Sequence, residues 1–131
     1  MNPLRAEVIK IENHENLNIV TFAFADQTLV MLGLELAQGV KLGSEVELSV
    51  KPTHVAIGKA FHGDISFSNQ LSAKIIEIDN GVLLSSIKLA SADAIFESII
   101  SLKSSQKMDL KIGENVSLFF KASDLYIKKV L

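Results

Sequence analysis

The chain contains the same sequence pattern twice, and this repeat limits its possible folds more than any other feature. Residues 2–13 align with residues 69–80 at an offset of 67, and six of the twelve aligned positions are identical. Residues 40–51 align with residues 110–121 at an offset of 70, which indicates a small loop insertion in the second copy. The 131-residue chain therefore divides into repeat 1 (1–59), a linker (60–65) and repeat 2 (66–131). A unit of about sixty residues is marginal alone, so we expect the repeats to pack on each other and on other chains.

Short β-strands are predicted by the apolar pattern of each repeat. The alternation of apolar residues shifts phase at Val8–Ile9 and again at Ile75–Ile76, which predicts a bulge or a strong bend at both places. Residues 34–39 and 103–108 are typical of one or two helical turns. Further strands are predicted at residues 18–25, 27–32, 46–50, 54–57, 81–89, 94–101, 116–121 and 124–130. The fold class is therefore mainly β: two OB-like small β-barrels in tandem, each with five short strands and one short helix.

The composition excludes several classes of protein. Hydrophobic residues make up 48% of the chain, enough to bury a core, so disorder is excluded. Because there is no cysteine, disulfides, zinc–thiolate sites, iron–sulfur clusters and cysteine nucleophiles are excluded as well. An OB-like barrel can also bind nucleic acid. The composition argues against this alternative, because the net charge is −2, there is a single arginine and aromatic residues are few. The sequence shows no signal-peptide pattern and no apolar run of about 18 residues, which favours a cytoplasmic protein and no membrane partner.

Hydroxyl groups are unevenly distributed, since twelve of the fourteen serines lie in repeat 2. A tetrahedral oxyanion offers only hydrogen-bond acceptors, so its binding site must supply donors: hydroxyls, amides and lysine. Donors of this kind stand near the ends of three separate strands of repeat 2: Ser66, Ser68, Ser98, Ser101, Lys121 and Ser123. They can ring a small anion, or they can be ordinary surface serines with one solvated lysine.

Catalytic and metal-binding patterns are weak. A metal cluster or a hydrolase triad could include His54, His62 and Asp64. The sequence has neither the nucleophile elbow nor the His-Glu-x-x-His motif that would support such a site. His54 aligns with Asp124 and is predicted to be an exposed strand residue. Phe119 and Phe120 are predicted to belong to the core or to an interface. We expect no enzymatic activity and no direct side-chain ligand to a metal.

The order and spacing of the motifs resemble the molybdate-binding Mop family, a group of TOBE-type barrels that includes the molbindins. The resemblance covers nearly the whole chain in both repeats. The opening Ser-x-Arg-Asn-x-Leu motif of the family reads Ser66–Leu71 here. The third-strand motif of the family corresponds to residues 97–101 in repeat 2 and 27–31 in repeat 1. Its Leu-x-x-Gly turn corresponds to residues 110–113 and 40–43. Its Lys-Ala-Ser/Thr strand end corresponds to residues 121–123 and 51–53.

This resemblance implies barrels that associate by exchanging or sharing strands. It also implies a homo-oligomer that binds molybdate or tungstate at contacts between domains, mostly between subunits, without an organic cofactor. The oxyanion-binding residues that it implies are Ser66, Ser68, Asn69, Ser98, Ser101, Lys121 and Ser123, with Thr28, Lys51 and Thr53 as their equivalents in repeat 1.

Two departures from the family pattern bear on function. The arginine of the motif is Ser68 here, and a serine cannot supply the planar, permanently charged guanidinium. In repeat 1 only Met1 precedes the matching Asn2, so the Ser-x-Arg part is absent. Two functional hypotheses follow. The chain is an oxyanion-binding protein for storage, buffering or sensing, or it is an oligomerising interaction or regulatory module in which oxyanion binding is weakened or lost.

Overall fold

A computed structural model describes residues 3–131, which form ten strands, one α-helix and two 3₁₀ turns. The mainly β class predicted from the sequence is confirmed. The strands of repeat 1 are β1 Leu4–His14, β2 Leu17–Phe24, β3 Gln27–Gly33, β4 Glu45–Val50 and β5 Ala56–Gly58. Those of repeat 2 are β6 Asn69–Asn80, β7 Leu84–Ser91, β8 Ala94–Ser101, β9 Asn115–Phe120 and β10 Leu125–Val130. Helix α1 spans Leu102–Met108, and the 3₁₀ turns are Pro52–His54 and Ala122–Asp124.

The strands form two five-stranded antiparallel sheets, and each sheet takes one strand from the other repeat. The first sheet has the order β10-β4-β1-β2-β3, and the second has the order β5-β9-β6-β7-β8. Ile127 of β10 lies opposite Leu48 of β4, and Ile57 of β5 lies opposite Leu118 of β9. Strand exchange between barrels, which the resemblance implies, therefore takes place inside this single chain.

The chain passes between the sheets at the two 3₁₀ turns. In the first turn Pro52 stands at the beginning, where its fixed φ suits a helical turn and its missing N–H costs no hydrogen bond. The two passages meet, because His54 Nδ1 lies 3.4 Å from Asp124 Oδ1. The imidazole of His54 is exposed as predicted, but the residue belongs to the turn and not to a strand.

Both predicted bulges are present. The pairing register of β1 with β2 shifts between Val8 and Lys10, and that of β6 with β7 shifts between Ile75 and Glu77. β1 pairs with β4 at residues 4–7 and with β2 at residues 7–14, so the bulge lies just beyond the stretch that pairs with β4. The bend thus lets one long strand serve both neighbours in its sheet, and β6 does the same in the second sheet.

The predicted helix is found in repeat 2, as α1, but the prediction for residues 34–39 is wrong, because they form bends and a turn. The hydroxyl of Ser101 caps α1 by accepting a hydrogen bond from Ser104 N at 3.1 Å. In the aligned hairpins Leu34 takes the place of Ser101, and leucine has no side-chain acceptor for a cap. The three-residue insertion of repeat 2 also falls in this connection, so repeat 1 lacks both the cap and the length for a helix.

The two sheets share one continuous apolar core. The rings of Phe24 and Phe96 meet edge to face with centroids 6.4 Å apart, and those of Phe96 and Phe120 lie 6.1 Å apart. Phe119 and Phe120 are both buried, as predicted. Residues from both repeats therefore contribute to the burial that stabilises each sheet.

Candidate oxyanion site

The beginning of β6 and the end of β9 lie side by side in the second sheet. Asn69 pairs with Phe120 across the two strands, so the preceding Ser68 and the following Lys121 stand at adjoining chain positions. Four of the predicted binding residues lie in the chain segments just before β6 and just after β9, and each is exposed: Ser66, Ser68, Lys121 and Ser123. Their side chains offer three hydroxyls and one ammonium group, the donor types that an oxyanion requires.

The 3₁₀ turn after β9 fixes the position of Lys121 and Ser123. Lys121 is extended, with φ −77° and ψ 152°, and its carbonyl accepts a hydrogen bond from Asp124 N at 3.0 Å. The turn packs against β3, which is the edge strand of the first sheet. The candidate site therefore lies where strand ends of the second sheet meet the edge of the first.

The side chain of Asn69 joins the two sheets. Asn69 is completely buried; its Oδ1 accepts a hydrogen bond from Val30 N at 2.7 Å, and its Nδ2 donates one to Val30 O at 2.9 Å. The carboxamide thus satisfies a peptide group on the open edge of β3, where a buried unpaired group would be costly. Sequence reasoning missed this role, although Asn69 shares the inward face of β6 with Leu71, Ala73 and Ile75, and a buried asparagine needs a partner.

Ser98 and Ser101 use their hydroxyls within the fold. Ser98 is completely buried and donates to Val55 O at 2.5 Å, which fixes β8 to the chain just after the first 3₁₀ turn. Ser101 caps α1 and lies opposite Leu84, beside the end of β6 that is remote from Asn69. The structure therefore does not bring Ser101 to Lys121, and it gives the Ser98 hydroxyl an internal partner.

The end of β4 in repeat 1 corresponds to the end of β9 in repeat 2. Lys51 and Thr53 are exposed, and their 3₁₀ turn packs against β8 as its counterpart packs against β3. The residue that matches Asn69 is Asn2, which lies outside the described residues.

The predicted equivalence of Thr28 with the third-strand serines is wrong. Gln27 closes its hairpin opposite Phe24 as Ala94 does opposite Ser91, so Thr28 corresponds to Ile95, and Met31 corresponds to Ser98. The reason is that the insertion follows the hairpin, so the offset is still 67 in β3. Thr28 is exposed on β3, two residues before Val30.

The surroundings of the site explain why one chain presents an open group of donors. Asp124, the nearest carboxylate in sequence, faces His54. Ser123 borders a groove of about 300 Å³ that is lined mainly by apolar side chains, among them Leu36 and Tyr126, with Glu35 also present. Because the four donors are exposed, a closed cage around an anion requires a second surface against them.

Within residues 3–131 no three side chains of His, Asp or Glu are grouped so that they could hold a metal ion. None of the helices found there has the length and apolar character needed to cross a bilayer.

Comparison with known proteins identifies the fold. No protein-family model matches the sequence, and no curated protein matches it. A crystal structure of the cytoplasmic molybdate-binding protein ModG, with molybdate bound, superposes with a TM-score of 0.88 over 96% of this chain and 94% of that chain. This chain folds like ModG. The sequence identity with ModG is 21%, so the likeness establishes the architecture, and it does so over nearly the full length of both chains.

Proposed function

We propose that this chain is a cytoplasmic, non-enzymatic binding protein for molybdate or tungstate that serves in storage, buffering or sensing. The observation that carries the proposal is the pairing of Asn69 with Phe120, which sets Ser68 beside Lys121 on a chain with the ModG fold. Ser66 and Ser123 add exposed hydroxyls to the same group. A group of hydrogen-bond donors suits a tetrahedral dianion, because the dianion offers only acceptors.

The hydrogen bonds within the fold suggest which residues bind the anion and which position the strands. Ser66, Ser68, Lys121 and Ser123 bind the anion, with Lys121 as the main cation because Ser68 replaces the arginine of the family pattern. Asn69, Ser98 and Ser101 position the strands that carry these donors, since their side chains are bonded within the fold. Lys51 and Thr53 form a second group of donors, in repeat 1.

The site is completed by another copy of the chain. The four donors are exposed on one side, so a partner surface closes the cage and removes the anion from water. Charge-assisted hydrogen bonds are strengthened when water is excluded. Since the anion binds the assembled form, it stabilises a homo-oligomer by mass action.

Titration calorimetry with molybdate, tungstate and sulfate tests the proposal. We expect heat with molybdate or tungstate, and we expect Lys121→Ala to abolish it. Lys103→Ala is the matched control, because Lys103 is an exposed lysine on α1 and its removal changes the net charge equally. The absence of heat with all three anions, or equal heat for both variants, would exclude the site.

A second candidate function rests on Ser68. If the loss of arginine has removed oxyanion affinity, the chain is an oligomerising interaction or regulatory module with the same fold. Sedimentation distinguishes the two: ligand-dependent assembly supports the binding protein, whereas assembly unchanged by molybdate and by Lys121→Ala supports the module.

A further inference from the structure

A second group of donors lies on the outer face of the second sheet, at pairs of β6 and β9 other than the end where Ser68 adjoins Lys121. Ser72 pairs with Ser117 and Lys74 pairs with Asn115 across β6 and β9, so the four side chains form a two-by-two patch on one face. We call these four residues the donor patch. Ser72, Lys74 and Asn115 are exposed, and Ser117 is half-buried.

The donor patch forms one wall of a shallow groove of about 530 Å³. The linker residues Ala60, Phe61 and His62 form another wall, and Ala90 and Ala92 of the β7 hairpin lie at its margin. The ring of Phe61 is held edge to face against Phe119, with centroids 5.2 Å apart. The groove thus combines polar donors with a fixed apolar surface, and its volume is in the range of about 300–1,000 Å³ that is usual for small organic ligands.

Among residues 3–131, no carboxylate lines this groove. The nearest acidic side chain along β9 is Glu114, and its Oε2 is held 3.1 Å from Lys59 Nζ. Lys74 is therefore the dominant charge on the donor patch, and it faces the hydroxyls of Ser72 and Ser117 and the carboxamide of Asn115. Such a set favours an anionic oxygen group.

Repeat 1 builds the same patch with opposite chemistry. The equivalent cross-strand pairs are Arg5 with Glu47 and Glu7 with Glu45. Three of these residues, Arg5, Glu7 and Glu45, border a groove of about 270 Å³ near Leu131. We call Arg5, Glu7, Glu45 and Glu47 the acidic patch. Because the backbone pairing is the same in both sheets, the fold itself does not require the donors at residues 72, 74, 115 and 117.

We propose that the groove at the donor patch binds a small organic anion, a phosphate monoester or a carboxylate, independently of the oxyanion site at Lys121. The anionic group contacts Lys74, Ser72, Ser117 and Asn115. The carbon part lies against Ala60 and Phe61. The acidic patch does not bind this ligand, because its three glutamates outnumber the positive charges beside them, Arg5 and the Lys128 ammonium that lies 3.7 Å from Glu47 Oε2.

The test is an ¹⁵N NMR titration of the full chain with phenyl phosphate, with benzoate and with inorganic phosphate. We expect chemical-shift changes at the donor patch and at Phe61, none at the acidic patch, and weaker binding of inorganic phosphate. The two organic probes identify the preferred head group. Equal changes at both patches, equal binding of inorganic phosphate, or no changes at millimolar probe would overturn the proposal.

Two substitutions sharpen the test. Lys74→Glu places at residue 74 the glutamate that repeat 1 has at Glu7 and is expected to weaken binding by at least about tenfold, while Glu7→Gln leaves it unchanged. Lys74→Met repeats the measurement without a new charge if the first variant folds poorly. Unchanged binding in both Lys74 variants would overturn the proposal. It would also be overturned if the variants lost self-association and not ligand binding, because the patch would then be a contact between copies of the chain.

The proposal stands apart from the oxyanion site. Lys121→Ala should keep full affinity for phenyl phosphate, and Lys74→Glu should keep full heat with molybdate. If Lys121→Ala also removed phenyl phosphate binding, the ligand would belong to the strand-end site and not to the groove.

Discussion

The carboxamide of Asn69 bonds to the peptide of Val30 as one β-strand bonds to the next. Both hydrogen bonds are short, 2.7 Å to the carboxamide oxygen and 2.9 Å from its nitrogen, although the two residues are 39 positions apart. The contact links the edge of the first sheet to the first residue of β6 in the second. It therefore holds the beginning of β6, and with it Ser68, against the other sheet.

Asn69→Ala should destabilise the fold by about 2–4 kcal/mol, because two hydrogen bonds are lost and the peptide of Val30 is left without a partner. Urea unfolding measures the change. Gln70→Ala is the control: Gln70 is the exposed neighbour on the same strand, and its replacement should change stability by less than about 0.5 kcal/mol. Equal midpoints for the two variants would show that the bonds contribute nothing.

Leu125→Ala tests the exchanged strand. Leu125 is 2% exposed and begins β10, which pairs with β4 of repeat 1, so we expect a loss of about 2–4 kcal/mol. Hydrogen exchange should show faster exchange at the amides of β4, although the substitution lies in repeat 2. Leu131→Ala, at a 49% exposed position, is the control. Loss of protection in the second sheet alone would contradict the observed topology.

Ser98→Ala separates a structural serine from a ligand. The buried hydroxyl donates to Val55 O, so its removal should cost about 1–3 kcal/mol and leave the affinity for molybdate unchanged. Unfolding and calorimetry on the same sample check both parts. A variant that is as stable as the parent but no longer binds molybdate would show that Ser98 belongs to the binding site.

Ser68→Arg should strengthen molybdate binding by about tenfold, because a guanidinium beside Lys121 adds a permanent charge and paired donors. Calorimetry measures the gain. Gln70→Arg adds the same charge two residues further along the chain, at an exposed position on β6, and should have a much smaller effect. If both variants gain equally, the effect is general attraction and Ser68 is not at the site.

Much of the fold follows from the sequence because the information is repeated. The phase shifts at Val8 and Ile75 occur in both copies, and both become bulges. The exchange of β5 and β10 is different. Ile57 and Ile127 occupy matching positions in similar strands, so local sequence does not determine which sheet each one joins.

The candidate site was predictable by residue type but not by role. Ser98 and Asn69 have the donors that an oxyanion needs, and nothing near them in sequence indicates another partner. Their partners are Val55, 43 residues from Ser98, and Val30, 39 residues from Asn69. Contacts over such distances arise from the packing of the sheets, whereas the exposed group around Lys121 follows directly from the neighbouring strand ends.

The reciprocal exchange of β5 and β10 has a consequence for dilution. A chain with one such repeat would have to borrow its fifth strand from a second molecule, and that partnership would fall apart at low concentration. Here covalent linkage supplies the partner at a high effective concentration, so the paired sheets persist however dilute the protein is. Proteolytic cleavage within residues 60–65 removes this linkage, so the two fragments, each completing the sheet of the other, should stay associated at high concentration and separate on dilution.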